Sequence, residues 1–149
     1  MSLESKVMEA IKEAMKAKDE VALRTLRAIK SAILLEKTSS GAKEEIVEAD
    51  EIKLLTKMAK QRRESYDIFM KQGREDLASK EKEELDIIDT YLPAQMSEAE
   101  IETEVKNIIE LVGASTAADF GKVMGAANKS MAGKADGKVI AEIVKKLLQ

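Results

Sequence analysis

The sequence predicts an all-α protein, on three observations. Apolar residues recur at three- and four-residue spacing along most of the chain, no stretch alternates apolar and polar residues with a period of two, and the residues able to fill a core are nearly all aliphatic. With two Phe, two Tyr and no Trp in 149 residues, Leu, Ile, Val, Ala and Met must occupy the interior, which suits helices packed on helices. No internal repeat is evident, so stacked repeat architectures are set aside.

Ser2 is placed to cap a first helix with Leu3, Val7, Ile11 and Ala14 on one face, a face that Met8 and Met15 are expected to broaden. Asp19 restarts the chain into a second helix from Glu20 to about Lys37, where Leu23, Leu26, Ile29 and Ile33 make the apolar stripe. The segment Thr38 to Ala42 is expected to be a loop, followed by a weak helical turn over Lys43 to Ala49. Asp50 is then the expected cap of a long helix from Glu51 to about Gln72.

That helix carries Leu55, Met58, Tyr66 and Phe69 on its inner side, with Lys53, Lys57, Lys60 and Lys71 on roughly the opposite one. Arg62 interrupts the apolar stripe. Gly73 stops the helix, and the next, from about Glu75 to Tyr91, shows Leu77, Leu85, Ile88 and Leu92 with Glu81 interrupting at the matching place. A charge in an apolar stripe needs a partner, so Arg62 and Glu81 are expected to form an ion pair across this hairpin, with Glu84 as the substitute.

Pro93 pushes Leu92 out of the helical region and removes a donor, which places a boundary there: an N-terminal helical domain over 1–93 and a C-terminal one over 96–149. Ser97 and Glu100 match a capping box for a helix bearing Ile101, Val105, Ile108 and Val112, with Gly113 as its stop. Ser115 or Thr116 caps the following helix, which runs to about Met131 and is stopped by Gly133. Asp136 caps the last, where Val139, Ile140, Ile143, Val144 and Leu147 pack inward. Three short helices make a small bundle.

Cys and His are both absent, which removes disulfides, thiol nucleophiles, imidazole bases and the usual zinc ligand sets. No carboxylate pattern matches a calcium loop, and no Ser has a nucleophile elbow, so no catalytic residue, metal site or cofactor is expected. The net charge of −3 is unevenly spread: seven Lys or Arg face two acids between Lys53 and Arg74, and six Lys face three acids from Asp119 to the end. No run is apolar enough to span a membrane and the charged amphipathic N-terminus does not resemble a signal peptide, so cytoplasm is the expected compartment.

The stretch from Asp119 to Gly137 is the most distinctive. Phe120, Val123, Met124, Ala127 and Met131 share one helical face, while Gly121 and Gly125 lie one turn apart on another, continued by Asn128 and Ala132 and flanked by Lys122 and Lys129. A glycine inside a helix costs about 1 kcal/mol relative to alanine, and such a strip lets another backbone come close. Either the last helix crosses there or something outside the chain does. The Gly133 to Gly137 turn, with Lys134 and Lys138, lacks the preceding strand and the Lys-Ser/Thr ending of a phosphate-binding loop, and is expected to be a helix stop and start.

Several blocks in order carry a resemblance over essentially the whole chain: Lys60-Gln-Arg-Arg-Glu-Ser, Gly73-Arg-Glu-Asp-Leu-Ala, Glu84-Leu-Asp-Ile-Ile-Asp-Thr-Tyr-Leu-Pro, Asp119-Phe-Gly-Lys-Val-Met-Gly and Gly133-Lys-Ala-Asp-Gly. Together they resemble the YqeY family, and the last segment is similar to the C-terminal tail domain of the B subunit of bacterial aspartyl/glutamyl-tRNA amidotransferase. The resemblance implies a helical domain followed by a three-helix tail domain, and an accessory protein that binds tRNA or associates with a tRNA amidotransferase or aminoacyl-tRNA synthetase. Any carbon-nitrogen ligase activity with glutamine as donor would belong to the assembled complex. By that analogy Gly121, Lys122, Gly125, Lys129, Lys134 and Lys138 are candidate contacts to a tRNA backbone, and the exposed stripe of Lys53, Lys57, Lys60 and Lys71 is expected to add phosphate contacts. The alternative is a protein-protein adaptor that binds no RNA.

Overall fold

In a computed structural model the protein is described over residues 2–39, 41 and 45–149. The elements among the described residues are all helices, as the spacing predicts, and the chain divides between Leu92 and Pro93 into two compact units. Each unit has its own aliphatic core.

The first unit holds α1 (Leu3–Ala17), α2 (Glu20–Ser39), α3 (Glu48–Lys71) and α4 (Glu75–Asp89), arranged as two helical hairpins. Ser2 caps α1 by accepting from the Ser5 amide, and the Asp19 carboxylate accepts from the Ala22 amide at the start of α2. Val7, Ile29, Ile33, Leu55, Ala59 and Ile88 are sealed from solvent and knit the four helices together. Gly73 adopts a left-handed φ of 70° between α3 and α4, and the Arg74 amide reaches back to the Phe69 carbonyl at 2.8 Å.

Three expectations are corrected here. Met8 and Met15 do not widen the buried face of α1; they are 44% and 57% exposed, because the core already closes over Leu3, Val7 and Ala14. The second helix continues to Ser39, its last turn held by Thr38 and Ser39 hydroxyls donating to carbonyls one turn back. Of the expected loop and following turn, Ser40 and Ala42 to Glu44 lie outside the described residues, and 45–47 are not helical. The long helix begins at Glu48 rather than after Asp50, with Val47 at the cap position and no side-chain cap. Glu48, Asp50 and Glu51 instead place negative charge in its first turn, where the helix dipole favours it, and Glu51 accepts from the Leu3 amide of α1 at 2.8 Å.

The second unit holds α5 (Glu98–Val112), α6 (Phe120–Ser130) and α7 (Gly137–Leu147), with a short 3-10 turn at Ala117–Asp119 leading into α6. Ser97 and Glu100 form the expected capping box, and Gly113 ends α5 with a φ of 67°. Val105, Val123, Met131, Ile140 and Val144 make the centre of its core. Asp119 is not itself a simple helix cap: its carboxylate accepts from the amides of Ser115, at 2.9 Å, and Thr116, at 3.3 Å, drawing the loop after α5 tight against the start of α6.

Candidate functional site

The C-terminal unit carries the candidate surface, built on α6. Phe120, Val123, Met124, Ala127 and Met131 turn toward the core, and rotation of about 100° per residue puts Gly121, Gly125 and Asn128 on a flank about 110° round from them, with Lys122 and Lys129 opposite the core; Ala132 follows just beyond the end of α6. Gly121, Gly125, Asn128 and Ala132 are all exposed. A Cβ added to Gly121 or Gly125 would meet nothing within 4 Å, and neither has the left-handed backbone that demands glycine. The expected alternative of an internal crossing by the last helix is therefore removed: α7 packs against the other face of α6, through Ile140 and Val144.

The lysines around this strip differ in their commitments. Lys122 donates from Nζ to the carbonyl of Val112 at 2.9 Å, satisfying a carbonyl at the end of α5 and placing positive charge at its negative pole. Lys129 stands exposed on the last turn of α6. Between α6 and α7 the backbone is taken up by structure: the Met96 amide donates to the Lys134 carbonyl and the Gln95 side chain to the Gly133 carbonyl, each at 2.8 Å. Gly133 has a φ of 74° and Asp136 accepts from the Lys138 amide, so the turn is a helix stop followed by a helix start. The side chains of Lys134 and Lys138 point outward with no role in those contacts.

Electrostatics in this unit concentrate on the loop before α6. The Asp119 carboxyl is held below the usual carboxylate range, chiefly by the Ser115 and Thr116 amides. Glu100 is lowered in the same way by the Ser97 amide and hydroxyl. Ser130 donates to Glu104 at 2.8 Å and pins the end of α6 to α5. Among the described residues there is no cluster of carboxylates arranged to hold a metal ion.

In the first unit, Lys53, Lys57, Lys60 and Lys71 are exposed along α3, but Glu64 and Asp67 lie on the same face and break the stripe. Arg62 is largely covered, as its place in the apolar stripe requires, yet its ion pair is with Glu84 at 3.7 Å rather than with Glu81. Glu84 lies one turn beyond Glu81 on the same face of α4, and it also faces Arg24 of α2 at 3.9 Å. Glu81 keeps a raised pKa, from burial first and from the neighbouring Glu84 second, with Arg62 and Arg24 acting in the opposite direction. The Arg24 partnership had no signal in the sequence, since it joins helices 60 residues apart along the chain.

Three fungal relatives share sequence with this chain. A protein of Lachancea thermotolerans named "Altered inheritance of mitochondria protein 41, mitochondrial" is 35% identical over 105 residues, 66% of this chain and 54% of its own length. The protein of that name from Pyrenophora tritici-repentis is 34% identical over 144 residues, 93% of this chain and 75% of the relative. That from Saccharomyces cerevisiae is 36% identical over 106 residues, 67% of this chain and 55% of the relative. The chain thus spans about half the length of two of these three relatives.

These names correct two expectations. They describe mitochondrial proteins, which overturns the cytoplasmic assignment, a default taken from the absence of any recognised targeting signal. They make no mention of tRNA, an amidotransferase or a synthetase, which overturns the tRNA-binding accessory role, a role that rested on the tail-domain likeness alone. The whole-chain resemblance itself stands, for the Yqey-like protein family matches residues 4–148. Sharing that match from the first turn of α1 to the end of α7, the chain belongs to the Yqey-like protein family.

Proposed function

We propose that this protein is a protein-protein adaptor whose C-terminal unit receives a helix of a partner along the outward face of α6. The observation that carries the reading is the outward placement of Gly121 and Gly125. A mid-helix glycine such as Gly125 costs about 1 kcal/mol relative to alanine, and no close contact among the described residues offsets it. With Gly121 in the first turn of the same helix, the two remove side-chain relief where a second helix can lie close, near the lower end of the roughly 8–10 Å range of helix-helix spacings. Asn128 supplies an amide able to donate and accept at the same surface, and Lys129 at its edge favours a partner helix with an acidic flank.

The test is a photo-crosslinking amino acid at Asn128, with Glu142 on α7 as the control position, in cells that make the protein natively. The reading expects a discrete protein adduct from position 128 that is absent from position 142. Adducts to RNA, or protein adducts equal at both positions, would overturn it.

A further inference from the structure

The first unit carries a second surface that its fold leaves uncovered. On the outer side of the α1–α2 hairpin, Met8 and Met15 are 44% and 57% exposed and Leu34 is 47% exposed. Ile11 and Leu23, half-buried, pack against the core from the same hairpin and form the floor between them. The hairpin register follows from the joint at Lys18 and Asp19 at one end and the Lys37 to Glu4 ion pair at the other. In that register Met15 lies across from Leu23 and Met8 across from Leu34, while the helical rotation puts Met8, Ile11 and Met15 within about 60° of one another on α1. The result is a shallow apolar groove between two antiparallel helices.

Its charge is one-sided. Lys12 rises beside Met8 and Met15, and Arg27 and Lys30 border Leu23 and Leu34; no ion pair among the described residues holds any of the three. Apart from Glu20, the hairpin's acids are engaged or turned away: Glu4 is tied to Lys37, Glu13 to Lys16 and Asp19 to the Ala22 amide, while Glu9 rotates about 100° from Met8 and Glu36 about 200° from Leu34. Glu20 borders the groove at the joint, its closed end.

We infer that this groove binds an acidic amphipathic helix of a protein partner. Apolar residues at i, i+3, i+4 and i+7 would seat on Met8, Ile11, Met15, Leu23 and Leu34, and carboxylates on the helix flanks would meet Lys12, Arg27 and Lys30. Unbranched methionines suit such a groove because they repack around different apolar anchors. An anionic membrane surface is the less favoured occupant, since the face has no aromatic residue to sit at a lipid interface. The site lies in a different unit from the α6 strip, so its test and the test of the adaptor reading are separable.

The probe is a stapled 18-residue helix with Leu at those spacings and Glu on both flanks, compared with the same helix bearing Lys flanks and with vesicles containing phosphatidylserine. The full chain is labelled at the methionine methyl groups and followed by NMR. Binding of the Glu-flanked helix at about 10 μM or tighter is expected, with shifts at Met8 and Met15 and none at the buried Met131. The double variant Arg27→Glu, Lys30→Glu is expected to weaken it about tenfold or more with helicity unchanged, and Leu34→Glu to do the same. Equal binding of the Lys-flanked helix, shifts away from Met8 and Met15, or shifts produced by vesicles but not by the Glu-flanked helix would overturn the inference.

Discussion

Arg62 on α3 and Glu84 on α4 meet at 3.7 Å with both side chains largely covered, and Glu84 turns its second oxygen to Arg24 of α2 at 3.9 Å. One carboxylate therefore serves two guanidinium groups from two other helices. Removing it leaves the covered Arg62 without its ion-pair partner, while the half-exposed Arg24 keeps Glu83 at 3.9 Å; uncovering the charge of Arg62 is more damaging than removing an exposed pair. Glu84→Gln is expected to lower the unfolding free energy by about 2–3 kcal/mol in urea titration. Glu81→Gln, one turn earlier, is expected to be neutral or mildly stabilising, because burial and Glu84 both disfavour the Glu81 charge.

The same shift sets a pH sign. With its folded pKa raised, Glu81 contributes stability that is present below its unfolded pKa and lost as pH rises through the folded one. Asp119 behaves in the opposite way. Its pKa is lowered by the Ser115 and Thr116 amides, so its contribution is present above the ordinary carboxylate pKa, about 4, and is lost as pH falls through the lowered value. Acidification from pH 6 to about 3 should accordingly lower the amide protection factors of the second unit, each referred to the intrinsic exchange rate at its own pH, and the difference between wild type and Asp119→Asn should shrink across that range.

Lys122 and Lys129 flank the same strip but should respond differently. Lys122→Met removes the donor to the Val112 carbonyl and should lower stability by a few tenths to about 1 kcal/mol, read as a lower thermal midpoint. Lys129→Met removes no such bond and should leave the midpoint unchanged. A loss of stability from the Lys129 change larger than that from the Lys122 change would contradict the assignment.

Much of this architecture is legible in the sequence because its signals are local. Gly73, Gly113 and Gly133 each take a positive φ of about 70°, a conformation glycine adopts without strain, so these three glycines mark where α3, α5 and α6 give way to turns. The Ser97 to Glu100 box is likewise settled within four residues. What escaped depends on distant partners. The start of α3 is tied to Leu3 across 48 positions, and Glu81 and Glu84 share a face of α4, so only the packing of α2, through Arg24, decides between them. Hydrophobicity alone placed Met8 and Met15 inside, although Leu3, Val7 and Ala14 already fill that side of α1. The outward glycine face of α6 was legible by rotation; what the sequence left open, and the packing of α7 decided, was whether the chain covers it.

Open space beside those glycines makes an unusual stability prediction. Gly125→Ala should stabilise the protein by about 1 kcal/mol, and Gly121→Ala, nearer the helix start, by less, since the added methyl meets nothing and the backbone is already compatible. Calorimetry on the purified variants checks both. A destabilised Gly125→Ala would mean that the strip is covered after all.

The adaptor reading is tested most directly by measuring thermal midpoint and crosslink yield from Asn128 on the same variant, Gly125→Leu. A side chain projecting from an open helix face should leave the midpoint equal or higher while reducing the protein adduct about tenfold or more, because it holds the partner helix away. An undiminished adduct with the fold intact would contradict the claim that α6 is a docking face.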